Sequence, residues 1–197
     1  MTDRQTLDIY AEKAGEYADL TDDMNSADPR LAAFIVDIPA GGTVLDLGCG
    51  PGQSAGLMAQ AGLNVTAIDP VPEMIEMAAA RAGVTAKVAS FDDVDGEHLY
   101  DGIWANFSLL HAPREDMPRH LAAIAKALKP GGRFHIGVKT GTGSHRDKIG
   151  RLYTYYTEEE LTGLLQDAGL TVFDRAEGVD AGLSGEDAHW ICLAARA

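Results

Sequence analysis

The chain has 197 residues, of which 46% are hydrophobic, and this size and composition are typical of one globular domain with a sizeable core. Its formal net charge of −14 disfavours nucleic acids and anionic membranes as partners, because both are bound through basic surfaces. No apolar run approaches the roughly 20 residues that span a bilayer. Cys49 and Cys192 lack metal-ligand spacing, and we expect both to be packing residues.

Residues 1–38 have helical character but are too few to form a core of their own. We expect them to lie over the edge of a sheet as a helical cap, within the same domain as residues 39–197. Residues 1–5 are polar and lack the apolar segment of a signal peptide, which predicts a cytoplasmic location.

A strand and a glycine-rich turn follow at residues 44–52, with the sequence Val-Leu-Asp-Leu-Gly-Cys-Gly-Pro-Gly. Gly48, Gly50 and Gly52 allow a ligand to approach the backbone. The helix predicted to begin at Gln53 presents its amide groups to the same place. A strand, a glycine loop and a helix N-terminus together predict a nucleotide site.

Strand and helix patterns alternate after this loop, which is typical of a parallel sheet with helices on both faces. We predict strands at residues 65–69, 84–90 and 100–106, and a helix from Pro72 to Ala80. Ligands of such sheets bind beyond the carboxyl ends of the strands. The residues at the four strand ends are Asp46 with the glycine loop, Asp69, Phe91 with Asp92, and Asn106 with Phe107.

The next segments continue the alternation. Residues 115–128 have a helical period that residues 129–132, Lys-Pro-Gly-Gly, bring to an end. Residues 133–139 predict a fifth strand and residues 140–150 a loop. In this region Lys139, His145, Arg146, Lys148 and Arg151 form a basic cluster in an otherwise acidic protein.

The last part of the chain is predicted to complete the sheet. Residues 157–160 form a capping box that begins a helix running to Ala168. Residues 170–175 and 189–195 fit two antiparallel strands. The sequence therefore predicts an α/β fold with a mostly parallel sheet of about seven strands.

The glycine motif separates two classes of nucleotide-binding protein. A dinucleotide fingerprint has its third glycine where this chain has Gln53. Asp46 is poorly placed for a pyrophosphate but suits a ligand with an ammonium or sulfonium group. The motif and the acids that follow it resemble the class I S-adenosylmethionine-dependent methyltransferases, over residues 43–195. The resemblance is closest to the small-molecule methyltransferases and implies their Rossmann-like fold.

This resemblance implies how S-adenosylmethionine is bound. Asp46 and the three glycines look like motif I, around the methionine moiety. Asp69 looks like the acid that accepts hydrogen bonds from both ribose hydroxyls, and Asp92 like the acid that accepts from the adenine amino group. Taken alone, Asp69 could instead cap a helix and Asp92 could be a solvated loop acid. The other residues of the predicted donor site are Pro70, Met74, Phe91, Asn106 and Phe107.

The sequence gives fewer indications of how the methyl acceptor is bound. A methyl group on a cationic sulfur is already activated, so the protein mainly aligns the acceptor and excludes water, and no metal is needed. A base matters only for acceptors that must lose a proton. His111 and Tyr10 are candidate catalytic residues, with core packing as the alternative. Lys139 and Arg151 are candidates for binding an acceptor carboxylate or phosphate, unless their loop is simply solvated.

The predicted function is methyl transfer from S-adenosylmethionine to a small molecule, and three alternatives stay open. A nicotinamide-dependent oxidoreductase is disfavoured by Gln53 and by the lack of a Tyr-x-x-x-Lys pair. A module that binds the nucleotide without catalysis would have the same donor residues. Aminopropyl transfer would need an acidic pocket near residues 106–108, where Asn-Phe-Ser offers none. The oligomeric state is not predicted.

Overall fold

A computed structural model describes residues 3–26 and 28–197, so Met1 and Thr2 of the polar opening segment lie outside the described residues. The α-helices described are α1 Arg4–Glu12, α2 Ala14–Ser26, α3 Pro29–Asp37, α4 Gln53–Gln60, α5 Pro72–Ala79, α6 Met117–Ala127 and α7 Glu158–Asp167. The strands are β1 Thr43–Leu47, β2 Asn64–Asp69, β3 Val84–Val88, β4 Tyr100–Asn106, β5 Leu128–Lys139, β6 Ser144–Arg146, β7 Leu152–Thr154, β8 Thr171–Ala181 and β9 Asp187–Arg196.

Seven of these strands form one sheet in the order β3-β2-β1-β4-β5-β9-β8. The strands from β3 to β5 in this order are parallel, β9 is antiparallel to β5, and β8 is antiparallel to β9. The predicted Rossmann-like α/β fold with seven mostly parallel strands is therefore confirmed. Between β1 and β4 the strand order changes direction, which is where sheets of this type open a crevice for ligands.

Helices cover both faces of the sheet, as predicted. Neighbouring residues of a strand point to opposite faces, and β4 shows the result. Ile103 packs in one buried cluster with Ile124 of α6 and Leu161 of α7. Trp104 packs in a second cluster with Phe34 of α3 and Met58 of α4. The two clusters hold the central strands rigid at the place where the glycine loop follows β1.

The first three helices occupy two different places. Phe34 of α3 and its C-cap residue Ile38 lie so close to Gly102 that a Cβ there would be 2.6 Å and 2.5 Å from their side chains. This helix is part of the layer on one face of the sheet. Tyr10 of α1 and Tyr17 of α2 pack instead against the cluster that contains Met74 of α5. These two helices cover the carboxyl ends of the strands.

The predicted loop at residues 140–150 is only partly a loop. Its Ser144–Arg146 segment forms β6 and pairs with β7 as a two-stranded antiparallel ribbon. All three residues of β6 are exposed, so the segment lacks the apolar alternation by which a strand is predicted. The ribbon places Tyr153 and Arg151 beside the carboxyl end of β5.

Element boundaries and caps also differ from the prediction elsewhere, most of all at β8, which was predicted over residues 170–175 and runs from Thr171 to Ala181. β5 begins at Leu128, and residues 129–132 form a bulge in its pairing with β4 rather than a separating turn. The predicted strand 84–90 ends at Val88, because Ser90 caps a short 3₁₀ helix. The capping box at Thr157 is half formed, since Thr157 accepts from the Glu160 amide while the Glu160 carboxylate pairs with Arg114.

In the part of the chain that is described, none of the helices combines the length and the apolar character that a membrane span requires.

Candidate active site

Two adjoining cavities lie at the carboxyl ends of the parallel strands. The larger has a volume of about 190 Å³ and the smaller about 60 Å³. Glycine loop residues, the ends of β4 and the two tyrosines of the covering helices contribute to both. The residues that line both cavities are Tyr10, Tyr17, Gly48, Gly50, Asn106 and Phe107.

The shape of the two cavities depends on two residues of the glycine loop. Gly48 has a φ of +72°, and a Cβ there would lie 2.3 Å from the Ser108 Cβ. Gly50 has a φ of +52°, and its Cβ would lie 3.4 Å from the Tyr17 ring. A side chain at either position would be strained by the backbone and would fill space that the cavities occupy.

Gly52, also predicted to bind the ligand, lines neither cavity. Its φ is +78°, and a Cβ there would lie 2.7 Å from the Ala78 Cβ of α5. The residue therefore permits α4 to approach α5. This is the helix-packing role that a dinucleotide fingerprint gives to a glycine one position later. A contact between Gly52 and the ligand therefore stays a prediction.

Asp46 places a buried carboxylate in the larger cavity. The residue is 3% exposed, and its Oδ2 atom has no hydrogen-bond partner among the described residues. Burial raises the pKa of this carboxyl to about 7, although the Ala55 amide opposes the shift. A buried carboxylate oxygen without a partner is costly unless a cation or a donor binds it. The site therefore fits a ligand with a positively charged group.

Asp69 lies at the end of β2 and lines the smaller cavity. Its carboxylate accepts from the Gly50 amide at 3.0 Å and from the Val71 amide at 2.9 Å. Burial raises the pKa to about 6 against these two hydrogen bonds. Each oxygen keeps a second lone pair for a ligand. The other residues predicted here that line the same cavity are Pro70, Met74, Phe91, Asn106 and Phe107.

Asp92 is placed differently from the other predicted donor residues. It lines neither cavity, and its carboxylate lies 2.6 Å from the Arg119 guanidinium. The hydrogen bond from Arg119 lowers the pKa of the carboxyl. Its proposed contact with adenine stays a prediction from the family resemblance.

Asn106 and Phe107 end β4 between the two cavities. The Asn106 Oδ1 atom accepts from His135 Nε2 at 3.0 Å, which leaves the amide nitrogen of Asn106 as the group available to a ligand. Phe107 has a φ of +55°, which is uncommon for a residue with a side chain. Strain of this kind costs about 1–2 kcal/mol and is found at functional sites.

Tyr10 and His111, the predicted catalytic pair, are in direct contact. The Tyr10 hydroxyl lies 3.0 Å from His111 Nε2, and His111 Nδ1 lies 2.8 Å from the Leu152 carbonyl. A carbonyl only accepts, so Nδ1 carries the proton and Nε2 accepts from Tyr10. Burial lowers the pKa of His111 to about 4, so the ring is neutral at pH 7. Tyr10 lines both cavities, whereas His111 lines only the smaller one.

Arg151 does not present a free charge to the larger cavity, although it contributes to the lining. Its guanidinium is 2% exposed and pairs with Asp147 at 2.7 Å. It also donates to the Tyr10 hydroxyl at 2.9 Å. The binding of an acceptor anion by Arg151 therefore stays a prediction. Its charge is compensated by Asp147, and its contact holds Tyr10, which spacing along the sequence could not reveal.

The rest of the basic cluster is also largely compensated. Arg146 pairs with Asp3 at 2.9 Å and Lys148 with Glu186 at 3.0 Å. His145 stacks on Tyr155 with ring centres 4.1 Å apart. Lys139 is different, because it lines the larger cavity and its ammonium lies against the Tyr153 ring without an ion pair to any of the described residues.

Several cavity residues were not predicted from the sequence. Trp190 of β9 lines the larger cavity. Its place in the last predicted strand, which pairs with β5, could have indicated this position. Arg30 also lines this cavity, with its guanidinium 4.5 Å from the centre of the Trp190 ring and paired with Asp28. Nothing in the local sequence indicates that Arg30 reaches Trp190.

Across the described ranges, 3–26 and 28–197, no group of three or more His, Cys, Asp or Glu side chains is arranged to hold a metal ion.

Comparison with known proteins points to one kind of domain. A family model described as a methyltransferase domain matches residues 44–132. The chain is 36% identical over 111 residues to the ubiquinone biosynthesis O-methyltransferase of Xanthomonas axonopodis pv. citri (strain 306), covering 53% of this chain and 46% of that protein. It is 35% identical over 131 residues to a cypemycin N-terminal methyltransferase of Streptomyces sp, covering 63% of this chain and 54% of that protein. The chain spans about half the length of these two relatives.

A solved structure is similar over nearly the whole chain. It is the Burkholderia thailandensis 1,6-didemethyltoxoflavin-N1-methyltransferase, with 1,6-didemethyltoxoflavin and S-adenosylhomocysteine bound. The TM-score is 0.72 at 27% sequence identity, and the match covers 95% of this chain and 86% of that protein.

Proposed function

We propose that the chain carries a class I S-adenosylmethionine-dependent methyltransferase domain and that the protein transfers a methyl group from S-adenosylmethionine to a small-molecule acceptor. One observation carries this proposal. Asp46, whose Oδ2 atom has no partner among the described residues, and Asp69 lie at the carboxyl ends of two neighbouring parallel strands, one in each of two adjoining cavities. A nucleoside with a cationic amino acid tail matches both acids at once.

The residues of the site have separate tasks in this mechanism. We assign the methionine amino group to Asp46 and the ribose hydroxyls to Asp69, with the glycine loop giving the backbone approach. Tyr10 and Tyr17 cover the cavities and exclude water. The bound donor supplies a methyl group on a positively charged sulfur. The protein therefore needs chiefly to hold the acceptor atom in line, about 3 Å from that methyl group.

Binding and turnover together test the proposal. We expect isothermal titration calorimetry to detect S-adenosylhomocysteine binding and no binding of NAD at the same concentration. With radiolabelled S-adenosylmethionine and a panel of phenols, amines and thiols, label should appear in one class of acceptor. Binding of NAD alone would support an oxidoreductase. Nucleoside binding without transfer to any acceptor would support the binding module.

The pH dependence of nucleoside affinity reports on Asp46. The pKa of this carboxyl is raised to about 7 in the empty site, so below pH 7 it must lose a proton before it can pair with an ammonium group. We expect the affinity for S-adenosylhomocysteine to rise by roughly ten-fold per pH unit up to pH 7 and to level off above it.

The Asp46→Asn variant provides the control for this profile. Since an amide does not titrate, its affinity should be lower and should change little between pH 6 and pH 8. Asp69, whose pKa is raised to about 6, makes the affinity depend on pH mainly below pH 6. A wild-type profile as flat as that of the variant would contradict the assignment of Asp46.

We assign catalysis to Tyr10, with His111 accepting the hydrogen bond of its hydroxyl and Arg151 donating to it. His111 is neutral, and its low pKa makes it a weak base, so its task is to orient the Tyr10 hydroxyl that contacts the acceptor. We expect Tyr10→Phe to lower kcat by about five-fold to ten-fold, the value of one lost hydrogen bond. The dissociation constant of S-adenosylhomocysteine should change by less than about two-fold. A change in that constant equal to the change in kcat would contradict a role in the transfer step.

The chemical class of the methyl acceptor is also part of the proposal. The names of the relatives describe both an O-methyltransferase and an N-terminal methyltransferase, and the similar solved structure holds a small heteroaromatic compound. A small molecule is the acceptor that these comparisons favour. The net charge of −14 supports this choice over a nucleic acid. A cytoplasmic location stays a prediction from the sequence.

A further inference from the structure

Lys139 brings a positive charge without a counterion into the larger cavity. Its ammonium lies 3.9 Å from the centre of the Tyr153 ring and forms no hydrogen bond or ion pair with any residue that the structure describes. Burial and the charge of Arg151 lower its pKa. A half-buried ammonium has lost part of its contacts with water, and an anion bound beside it would compensate for those lost contacts.

Apart from Asp46, which we assign to the amino group of the donor, the acids around this cavity already have partners. Asp147 pairs with Arg151 and Glu186 with Lys148. Asp28 forms a bidentate pair with Arg30, and Asp180 accepts from the Trp190 indole nitrogen at 2.7 Å. The counterion of Lys139 must therefore come from a bound molecule or from solvent.

Aromatic side chains flank Lys139. Trp190 is its cross-strand partner, so the two side chains lie on the same face of the sheet. The Trp190 ring meets the Phe107 ring edge to face, with centroids 6.2 Å apart, and Tyr153 lies against the ammonium. All four residues line the larger cavity. Flat aromatic walls of this kind favour a planar ligand that can stack or pack against their edges.

We propose that the methyl acceptor is a planar aromatic or heteroaromatic compound with an anionic group, which Lys139 binds while Trp190, Phe107 and Tyr153 hold the ring. This inference rests on the proposed function, because it names the substrate class of the same site. Arg30 and Arg151 are unsuited to this task, since each is held by a carboxylate.

Matched pairs of probes test the inference. The pairs are 4-hydroxybenzoate with 4-hydroxybenzamide and nicotinate with nicotinamide, which differ in charge but little in shape. Their binding is measured by quenching of tryptophan fluorescence in protein saturated with S-adenosylhomocysteine. We expect the anion of at least one pair to bind about ten-fold more tightly than its amide, as for one hydrogen bond between charged groups.

Three variants assign this preference to one side chain. Lys139→Met should abolish the difference between anion and amide, and Lys139→Arg should keep most of it. Lys148→Met is the matched control, because Lys148 is in the same basic cluster but does not line the cavity. It should bind both members of each pair as the wild type does.

The inference is overturned if anion and amide bind equally, if no anion binds, or if the preference persists in Lys139→Met. The affinity for S-adenosylhomocysteine, measured for every variant, shows that the donor site is intact. Failure of the wild type to bind this nucleoside counts against the proposed function instead. The probe pairs are then compared without nucleoside, and the same criteria apply to Lys139.

Discussion

Replacing Gly48 by alanine should lower the free energy of unfolding by about 3 kcal/mol, with about 1–2 kcal/mol from the left-handed backbone and a similar amount from overpacking. The φ of +72° disfavours any side chain, and the new Cβ would lie 2.3 Å from the Ser108 Cβ. Ser108 cannot move freely, because its buried hydroxyl donates to the Leu47 carbonyl at 2.6 Å. The measurement is urea denaturation of the ligand-free protein.

Gly131→Ala separates the two causes. Gly131 has a nearly equal φ of +76°, and a Cβ there would meet nothing within 4 Å. This variant should therefore lose only the backbone part, about 1 kcal/mol. Gly48→Ala should also weaken nucleoside binding, whereas Gly131→Ala should not. Equal losses of stability in the two variants would show that Ser108 yields to the added methyl group.

Replacing Asp69 by asparagine should raise the dissociation constant of S-adenosylhomocysteine by about 100-fold at pH 8, where the wild-type carboxyl is ionised. An asparagine side chain has one acceptor oxygen instead of two, and it lacks the charge. Two hydrogen bonds from ribose hydroxyls to a carboxylate, at about 1.5 kcal/mol each, account for this factor. Calorimetry of wild type and variant gives the two constants.

Asp93→Asn is the matched control, because Asp93 is an exposed acid in the loop after the neighbouring strand and lines neither cavity. Its carboxylate bonds only to Ser90 among the described residues. The dissociation constant of this variant should stay within about two-fold of the wild type. An Asp69→Asn variant that also binds within that range would exclude Asp69 as the ribose-binding acid.

The sheet was predictable because local patterns determine it. The apolar strands, the glycines that follow them and the alternation with helices are all short-range signals. The same signals misplaced the start of β5, since residues 129–132 interrupt the β4–β5 pairing as a bulge and do not end the strand. They also missed β6, whose exposed polar residues are held by pairing with β7 rather than by burial.

The candidate site was predictable for residues that lie at the carboxyl end of a predicted strand, such as Asp46 and Asp69. It was not predictable where a side chain is held by a residue far away in the sequence. Arg151 looks like an available cation in the sequence, but it pairs with Asp147, four residues away, and holds Tyr10, which is 141 residues away. The contact with Tyr10 follows from tertiary packing, and no local pattern encodes it.

The larger cavity draws its walls from distant parts of the chain, among them Tyr10, Arg30 and Trp190. Arg30 also donates to the Cys192 sulfur at 3.0 Å, and Asp37 pairs with Arg196. Trp190 belongs to β9, which pairs with β5. We therefore expect a chain that ends before β9 to lack one wall of the proposed acceptor pocket, even though it contains the whole glycine loop.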